Sequence, residues 1–295
     1  ENQTAITTIS ISDVDEDDLT LTLGGTDADS LNLSTENVLS FKEAPDYETK
    51  NLYSIELTLA DGTETVSKTI SITINNINDN EPEFTSEPVF SSAENQTAIG
   101  TVTATDADGD PITYRIDTLI SSTDLEIIIN DGIISFESAP DYETKSTYTT
   151  TVVASDGTNS TSQEITVNVT NVNEAPVFTS EATFSAAENQ TAIGTVTATD
   201  SDGDSVTFAV SGSELAITSA GVLTFASAPD YETKSTYTAT VTASDGTNST
   251  TQAITVNVTD VNEAPVFTSS ATLSAEENQT AIGTVTATDA DGDPI

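Results

Sequence analysis

The sequence predicts an all-β protein that is built as a series of similar β-sandwich domains. First, the tetrapeptide Glu-Asn-Gln-Thr begins at Glu1, Glu94, Glu188 and Glu277, at intervals of roughly 90 residues, which is long enough for a small domain. Second, apolar and polar residues alternate in short runs, as in residues 165–169 (ITVNV). Third, no window shows the 3.6-residue apolar period of a helix. These observations predict β-strands that recur in tandem domains.

Each repeat contains the number of strands that a small sandwich needs. About seven short strands per repeat, with a turn every 8–12 residues, are typical of a Greek-key immunoglobulin-like β-sandwich. Asp-Gly pairs, which favour hairpin turns, separate the alternating runs. In the second repeat the predicted strands include residues 101–105, 112–116, 148–154 and 165–169, and the turns include residues 131–132 and 156–157.

The boundaries between repeats are marked by Pro82, Pro176 and Pro265, each of which follows an acidic, Asn-rich run. Proline and β-branched residues favour an extended chain, so these short linkers predict domains that follow one another end to end as a rod. The predicted domains are residues 1–80, in which the first strand is expected to be missing, 81–175, 176–264, and 265–295 as the N-terminal part of a fourth repeat.

Composition excludes several classes of function. The chain has 49 acidic and 6 basic residues, a net charge of −43, and a pI of about 4.1, so nucleic-acid binding is excluded because phosphate contacts need Lys and Arg. It has no Cys or His, which excludes thiol nucleophiles, Ser-His-Asp triads and Cys/His zinc sites. No long apolar run is present, so no membrane insertion is predicted for this segment. We therefore do not expect an enzyme, and we expect something other than disulfides to stiffen the repeats.

Five short sequence motifs recur in the same order in the repeats and are rich in carboxylates. In the second repeat they are Glu94-Asn95 and residues 104–108 (ATDAD), 141–143 (DYE), 154–157 (ASDG) and 171–176 (NVNEAP). In this order and spacing, they resemble the motifs of tandem cadherin repeats of bacterial-type extracellular surface adhesins. The resemblance covers essentially all 295 residues. It implies calcium held between adjacent domains, with two to three ions per junction, and clustered carboxylate, amide and carbonyl oxygens are the ligands that calcium prefers.

The resemblance also implies a set of ligands for three successive junctions, each drawn from two neighbouring repeats. For the first junction the implied residues are Glu1, Asp46, Glu48, Asn76, Asn78 and Asp79 from the first repeat, with Asp106, Asp108 and Asp156 from the second. For the second junction they are Glu94, Asp141, Glu143, Asn171, Asn173 and Glu174, with Asp200, Asp202 and Asp245. For the third they are Glu188, Asp230, Glu232, Asp260, Asn262 and Glu263, with Asp289 and Asp291.

The linker motifs depart from the family pattern at two positions. The first position is normally Asp, but here it is Asn76 and Asn171, and only Asp260 keeps the charge. The fourth position, normally Asp, is Glu174 and Glu263 in the later linkers, and the extra methylene of Glu moves the carboxylate. These changes leave open how many ions each junction holds.

Two other chemistries could use the same carboxylates. Residues 106–110 begin like an EF-hand loop, but the sixth and twelfth positions, which need Gly and Glu, are Pro111 and Asp117. Asp141 and Glu143 could form a glycosidase acid pair, but the same pair recurs in every complete repeat, as expected of a structural ligand.

The sequence therefore predicts a calcium-rigidified, extracellular or cell-surface repeat array. We expect it to serve as a structural or adhesive stalk, a matrix fibre or a filament component. Its expected partners are calcium and either other copies of the same protein or cell-surface and matrix ligands. The alternative is a calcium-dependent carbohydrate-binding module of a surface or secreted protein, although the scarcity of aromatic residues disfavours a sugar-stacking platform.

Overall fold

The computed structural model describes residues 1–14, 16–117 and 126–295. These residues form β-strands and turns, and they contain one helical segment, the short 3-10 helix Ala28–Ser30. The chain separates into two compact units, Glu1–Thr170 and Asn171–Ile295. The predicted all-β class is thus confirmed. None of the helices in the described part of the chain has the length and apolar character that a membrane crossing requires.

The first repeat contains two three-stranded antiparallel sheets. One sheet has the order β1-β4-β3, and the other has the order β2-β5-β6. The strands are β1 (Ala5–Thr8), β2 (Thr20–Gly24), β3 (Leu31–Leu33), β4 (Val38–Phe41), β5 (Leu52–Ala60) and β6 (Thr65–Thr73).

The second repeat adds a fourth strand to the larger sheet. Its strands are β7 (Glu83–Phe84), β8 (Val89–Ala93), β9 (Ala98–Thr101), β10 (Ala104–Thr105), β11 (Thr113–Ile116), β12 (Ile127–Asn130), β13 (Ile133–Phe136), β14 (Thr147–Ser155) and β15 (Ser160–Thr170). The larger sheet has the order β11-β14-β15-β8, in which β8 runs parallel to β15. The smaller sheet has the order β12-β13-β9, and β7 pairs with β10 at the edge of the domain.

The third repeat has the same topology as the second. Its strands are β16 (Val177–Phe178), β17 (Thr183–Ala187), β18 (Ala192–Thr195), β19 (Ala198–Thr199), β20 (Thr207–Val210), β21 (Leu215–Ile217), β22 (Val222–Phe225), β23 (Thr236–Ser244) and β24 (Ser249–Thr259). The larger sheet is β17-β24-β23-β20, with β17 parallel to β24, and the smaller sheet is β18-β22-β21. The remaining strands, β25 (Val266–Phe267) and β26 (Ala287–Thr288), pair with each other as β16 pairs with β19.

A hydrophobic core lies between the two sheets of each complete repeat. In the second repeat, Val152, Ile165 and Val167 of the larger sheet pack against Ile134 and Phe136 of the smaller sheet. Alternate residues of each strand point inward, so the period-two apolar pattern of the sequence directs one face of each sheet to the core. The packing is the immunoglobulin-like sandwich that the sequence predicted.

One predicted strand is divided in the structure. Residues 101–105 were predicted as a single strand, but β9 ends at Thr101 and β10 begins at Ala104. Between them, the backbone NH of Val102 donates to the carbonyl of Gly132 at 2.8 Å, and the Val102 side chain is buried. Here the chain leaves the smaller sheet, where β9 pairs with β13, and continues as β10, which pairs with β7. The alternation of buried and exposed side chains continues although the partner strand changes.

Candidate metal centres

Glu1 joins two separate segments of the first repeat. Its carboxylate accepts the backbone NH of Tyr47 at 2.6 Å and the backbone NH of Ile77 at 2.9 Å. Asn2, which follows it, has a left-handed backbone (φ 60°) and donates its side-chain NH to the carboxylate of Asp79. The first residues of the repeat therefore lie between the Asp-Tyr-Glu turn and the linker that leaves the repeat.

Asp108 of the second repeat closes this junction from the other side. Its carboxylate accepts the backbone NH groups of Asp79 at 3.1 Å and Asn80 at 2.9 Å, and the Asn80 side chain donates to it at 3.1 Å. The Asn76 side chain donates to the backbone carbonyl of Asp108 at 2.8 Å. The hydrogen bonds from Asn80 hold the pKa of Asp108 below its ordinary value. The linker and the second repeat are thus in direct contact.

Asp106 and Asp156 each present a buried oxygen that is not used within the described protein. One Asp156 oxygen accepts the backbone NH groups of Thr158 and Asn159, both at 2.6 Å, and one Asp106 oxygen accepts the NH of Asp110 at 3.2 Å. In each case the second carboxylate oxygen is buried and has no hydrogen-bond partner among the described residues. A buried carboxylate oxygen without a partner is costly, so these two oxygens are candidate ligands for a cation.

Carboxylates of both repeats converge at the first junction. One oxygen from each of Glu1, Glu48, Asp79 and Asp108 lies within 4.8 Å of the others. Desolvation and the nearby charges of Glu1 and Asp108 raise the pKa of Glu48. Asp46 lies beside this group, where the side chain and backbone NH of Thr49 lower its pKa. The structure therefore brings together most of the residues that the sequence predicted for this junction.

The residues predicted for the second junction are divided between the two compact units. In the first unit, buried Glu94 accepts the NH of Tyr142 at 2.8 Å, as Glu1 does from Tyr47. One oxygen from each of Glu94, Asp141 and Glu143 lies within 4.8 Å of the others. Hydrogen bonds from Thr144 lower the pKa of Asp141.

In the second unit, the corresponding linker folds onto the third repeat. The carboxylate of Asp202 accepts the NH of Glu174 at 2.9 Å, and Asn173 donates to Asp245 at 2.9 Å. One oxygen of Asp200 and one of Asp202 are buried without a partner among the described residues. Asn171 is exposed at the start of this unit. That these two groups of residues form one site remains a prediction.

The third junction repeats the plan of the first within the second unit. Glu188, which is 3% exposed, accepts the backbone NH groups of Tyr231 and Val261, both at 2.8 Å. The carboxylate of Asp291 accepts the NH of Glu263 at 2.7 Å. The other predicted residues of this junction form local bonds: Asp230 accepts the NH of Thr233, Asn262 donates to the Glu263 carbonyl, and Asp289 accepts the NH of Asp293.

Repulsion between carboxylates is strong at this third junction. Desolvation and the charge of Asp291 raise the pKa of Asp260. Desolvation also raises the pKa of Glu263, although the hydrogen bond from Asn189 opposes that shift. The pKa of Glu232 is raised as well, because desolvation and neighbouring charges outweigh its own backbone hydrogen bond.

The donor set at these junctions fits calcium. Every side-chain ligand candidate is a carboxylate or amide oxygen, and the clustered oxygens lie within 4.8 Å of one another. Calcium binds six to eight oxygens at about 2.3–2.6 Å, so oxygens on opposite sides of one ion are separated by about 5 Å. At the third junction, one oxygen of Glu263 and one of Asp291 are buried without a partner among the described residues, as are those of Asp106 and Asp156 at the first.

Comparison with known proteins identifies the repeats. Residues 88–170 match the family model described as a cadherin domain, and residues 173–259 match a bacterial Ig domain. The chain is 33% identical over 278 residues to mouse "Cadherin EGF LAG seven-pass G-type receptor 2", with 83% of this chain and 10% of that protein covered. It is 33% identical over 261 residues to "Protocadherin-like wing polarity protein stan" of Drosophila melanogaster, with 76% of this chain and 7% of that protein covered.

The chain contains tandem cadherin repeats. Solved cadherin structures show the same fold. Mouse Cadherin-23 EC22-24 matches with a TM-score of 0.54 and 25% identity, covering 88% of this chain and 94% of that one. Human CDH23 EC21-23 has a TM-score of 0.62 at 21% identity, covering 87% and 94%. The predicted extracellular, cell-surface location is confirmed by the receptor relatives. The chain spans only about a tenth of the length of the curated relatives it matches.

The cadherin repeats use several asparagines that the sequence interpretation did not include. Asn159 donates to the side chain of Asn78 at 2.9 Å and to the carbonyl of Asn80 at 3.1 Å, and Asn248 donates to the carbonyl of Asn173 at 2.7 Å. Asn189 donates to Glu263, as Asn2 does to Asp79. The sequence does contain a signal for Asn159 and Asn248, because the motif Asp-Gly-Thr-Asn recurs from residue 156 and from residue 245.

Proposed function

We propose that calcium binds at the junctions between these cadherin repeats and makes the array a stiff extracellular stalk. The match to cadherin repeats of adhesion proteins supports an adhesive or structural role. The observation that carries the calcium assignment is a set of buried carboxylate oxygens that have no hydrogen-bond partner in the described part of the chain. They belong to Asp106 and Asp156 at the first junction and to Glu263 and Asp291 at the third. Asp106 lies beside Asp108 and Asp110, Asp156 is hydrogen-bonded to Asn78 of the linker, and Glu263 of the third linker lies beside the charge of Asp291.

Electrostatic repulsion explains why the cation would control stiffness. The residues proposed for the first junction include seven carboxylates from two repeats. Two such charges about 6 Å apart repel by about 0.7 kcal/mol in a water-like dielectric and by about 3 kcal/mol at an effective value of 20. Two to three calcium ions would add up to six positive charges and make the junction almost neutral. When bound, calcium would link oxygens of both repeats. The free energy of calcium binding would then be lost whenever the repeats separate, so the ion would hold them together.

The protein's own residues prepare each junction for the ion. Glu1 and Glu188 tie the Asp-Tyr-Glu turn to the linker, which fixes the distance between two groups of ligands. Asp108 and Asp291 fix the linker backbone against the next repeat. The same arrangement is proposed for Glu94, Asp141 and Glu143 with the linker that contains Asn171, Asn173 and Glu174.

Solution scattering tests the proposal. We expect the maximum dimension of the chain to be sharply defined in about 2 mM calcium, a concentration that saturates sites of moderate affinity. In excess EDTA we expect the scattering profile of a flexible chain. Magnesium at the same concentration serves as the control, because it favours six-coordinate water-rich sites. An unchanged profile in EDTA would disprove the calcium-dependent stalk.

The alternative of a calcium-dependent carbohydrate-binding module has a separate test. Phe41, Tyr53, Phe136 and Tyr148 are buried in edge-to-face pairs and are therefore unsuited to stacking on a sugar. A glycan array with and without calcium would support the module only if binding required calcium. The prediction that the chain is not an enzyme stays a prediction, to which the matches with adhesion proteins add support.

A further inference from the structure

The larger sheet of the third repeat presents an outer face that carries no charged side chain. This face, which we call the hydroxyl face, consists of the outward residues of β17, β24, β23 and β20. They are opposite the core, and the strand register brings them onto one surface. The face comprises Thr183, Ser185, Ala187, Thr207, Ala209, Thr236, Thr238, Thr240, Thr242, Ser244, Ser249, Thr251, Ala253, Thr255, Asn257 and Thr259.

A neutral face of this kind stands out in a chain with a net charge of −43. The second repeat has the same sheet but places Arg115 and Glu164 on the outer face. The third repeat has Ala209 and Ala253 at the equivalent positions of its strands. Because the fold accepts a charged side chain at both places, the two alanines are not required by packing.

Several hydroxyl groups of this face are available to a partner, whereas those of Thr207 and Ser244 make hydrogen bonds within the repeat. The side chains of Thr236, Thr238, Thr251 and Thr255 make no hydrogen bond to other described residues, and the first three are exposed. A hydroxyl group both donates and accepts, whereas a carboxylate only accepts. A face of hydroxyl groups is therefore complementary to itself, as a two-fold symmetric interface requires.

We propose that the hydroxyl face is a side-by-side interface with the same face of a second copy of this chain. Two chains of charge −43 repel one another, and this face allows approach without bringing ionised groups together. A basic partner would be attracted to the acidic junctions instead, and the face has no aromatic ring on which a sugar could stack.

The available area sets the strength of this contact. With strands about 4.8 Å apart and about 3.3 Å per residue, the face covers on the order of 500 Å² per copy. The two copies would bury about 1,000 Å² in total, which is the lower limit for a specific interface. We therefore expect a weak dimer that is half formed on the order of 0.1–1 mM. Several copies along a stalk would strengthen the contact through avidity.

Sedimentation equilibrium of the whole chain up to about 1 mM tests the interface, with 0.5 M NaCl added to screen the net charge. We expect Ala253→Glu, which introduces the residue that the second repeat carries at this position, to weaken dimerisation at least tenfold. The matched control is Ala216→Glu, which adds the same charge to the exposed outer side of the smaller sheet of the same repeat. We expect the control to dimerise like the unmodified chain.

A reciprocal variant strengthens the test. Asp117 pairs with Arg115, and the third repeat has Ser211 at the equivalent place. The variant Arg115→Ala, Asp117→Ser and Glu164→Ala therefore gives the second repeat the neutral residues of the third, and we expect it to dimerise more tightly than the unmodified chain. A chain that stays monomeric at 1 mM, an Ala253→Glu variant that still dimerises, or equal weakening by Ala216→Glu would each overturn the proposal. Dimerisation is also expected in EDTA, because the face contains no candidate calcium ligand. A failure of the proposed dimer interface can therefore be distinguished from a failure of the proposed calcium-dependent stalk.

Discussion

The first and third junctions have the same backbone plan but different charges in the linker. In both, a Glu at the start of a repeat accepts two backbone NH groups, and an Asp of the next repeat accepts an NH of the linker. The first linker position is Asn76 at one junction and Asp260 at the other. The amide of Asn76 donates to the carbonyl of Asp108, whereas Asp260 lies beside the charge of Asp291, which helps to raise its pKa.

Hydrogen bonds and cations can therefore stabilise the carboxylates of the same kind of junction in different proportions. At the first junction, linker NH groups stabilise the Asp108 carboxylate and lower its pKa, and one carboxylate of this junction, Glu48, has a raised pKa. At the third junction the pKa values of Glu232, Asp260 and Glu263 are all raised. We therefore expect the third junction to depend more strongly on calcium than the first.

The largest effect is expected from Glu188→Ala. Removing this buried carboxylate leaves the NH groups of Tyr231 and Val261 without their acceptor, at a cost of about 1–3 kcal/mol each. The two costs sum to about 2–6 kcal/mol, and loss of the Glu188 charge relieves part of its repulsion of Glu232, Asp260 and Glu263. Urea denaturation in EDTA should therefore show a loss of about 2–4 kcal/mol in the third repeat. The exposed Glu181→Ala is the control. Equal stability of Glu188→Ala and the unmodified chain would show that Glu188 acts only as a calcium ligand.

The next largest effect is expected from the double variant Asp106→Ala with Asp108→Ala. It removes a buried Asp106 oxygen that has no partner among the described residues, and it removes the acceptor for the NH groups of Asp79 and Asn80. The first junction should therefore loosen even in calcium. Because the chain has no Cys, spin labels can be attached at one engineered Cys in each of the first two repeats. Pulsed EPR should show a broadened distance distribution, while circular dichroism stays unchanged. Loss of the β signal would mean that these residues maintain the fold itself.

A smaller effect is expected from exchanging the linker residues of the two junctions. Asp260→Asn should lower calcium affinity at the third junction by roughly three- to tenfold, because one ligand charge worth about 1 kcal/mol is removed. Asn76→Asp should raise the calcium dependence of the first junction by a similar factor. Calcium titrations followed by spin-label distances across each junction provide the measurement. If the calcium-titration midpoints of both variants were unchanged, linker charge would not be the cause of the different calcium dependence of the two junctions.

The smallest effect concerns an ion pair away from the junctions. The pKa of Asp27 is lowered, chiefly by its hydrogen bond to Lys50, and the Ser54 NH adds to this effect. A lowered pKa means that Asp27 contributes stability above its ordinary pKa of 3.8, and this contribution disappears as the pH falls through the folded value. Asp27→Asn should thus lower the melting temperature at pH 7 but not at about pH 2.

The equivalent pair of the third repeat is the control for this prediction. Glu214 pairs with Lys234, but its side chain is 54% exposed, compared with 12% for Asp27. Solvent screens such an exposed pair, so Glu214→Gln should have a smaller effect at pH 7. A larger decrease in melting temperature for Glu214→Gln than for Asp27→Asn would contradict the prediction that burial strengthens the ion pair.

Much of the fold and of the candidate site could be predicted because the information is local. Period-two alternation identifies strands, and recurring carboxylate motifs identify which residues share a role in each repeat. The division of residues 101–105 into two strands was missed because alternation does not show a change of sheet partner. Val102 bonds to Gly132, which lies far along the chain.

The missed asparagines show the same limit. Asn159 reaches the first linker from a turn that is 79 and 81 residues away in sequence. Asn2 and Asn189 have left-handed backbones, with φ values of 60° and 63°, and this conformation determines where the side chain points. Neither property can be read from residue types alone, since both depend on the path of the backbone between distant segments.

The parallel strand at the edge of the larger sheet has a mechanical consequence. In the third repeat, β17 near the start of the domain is bonded along Thr183–Ala187 to residues 255–259 of β24 near its end. A pull on the two ends of the repeat draws these parallel strands in opposite directions along their length. Their hydrogen bonds are then strained together in shear instead of opening one after another, so a repeat of this topology resists tension along the chain.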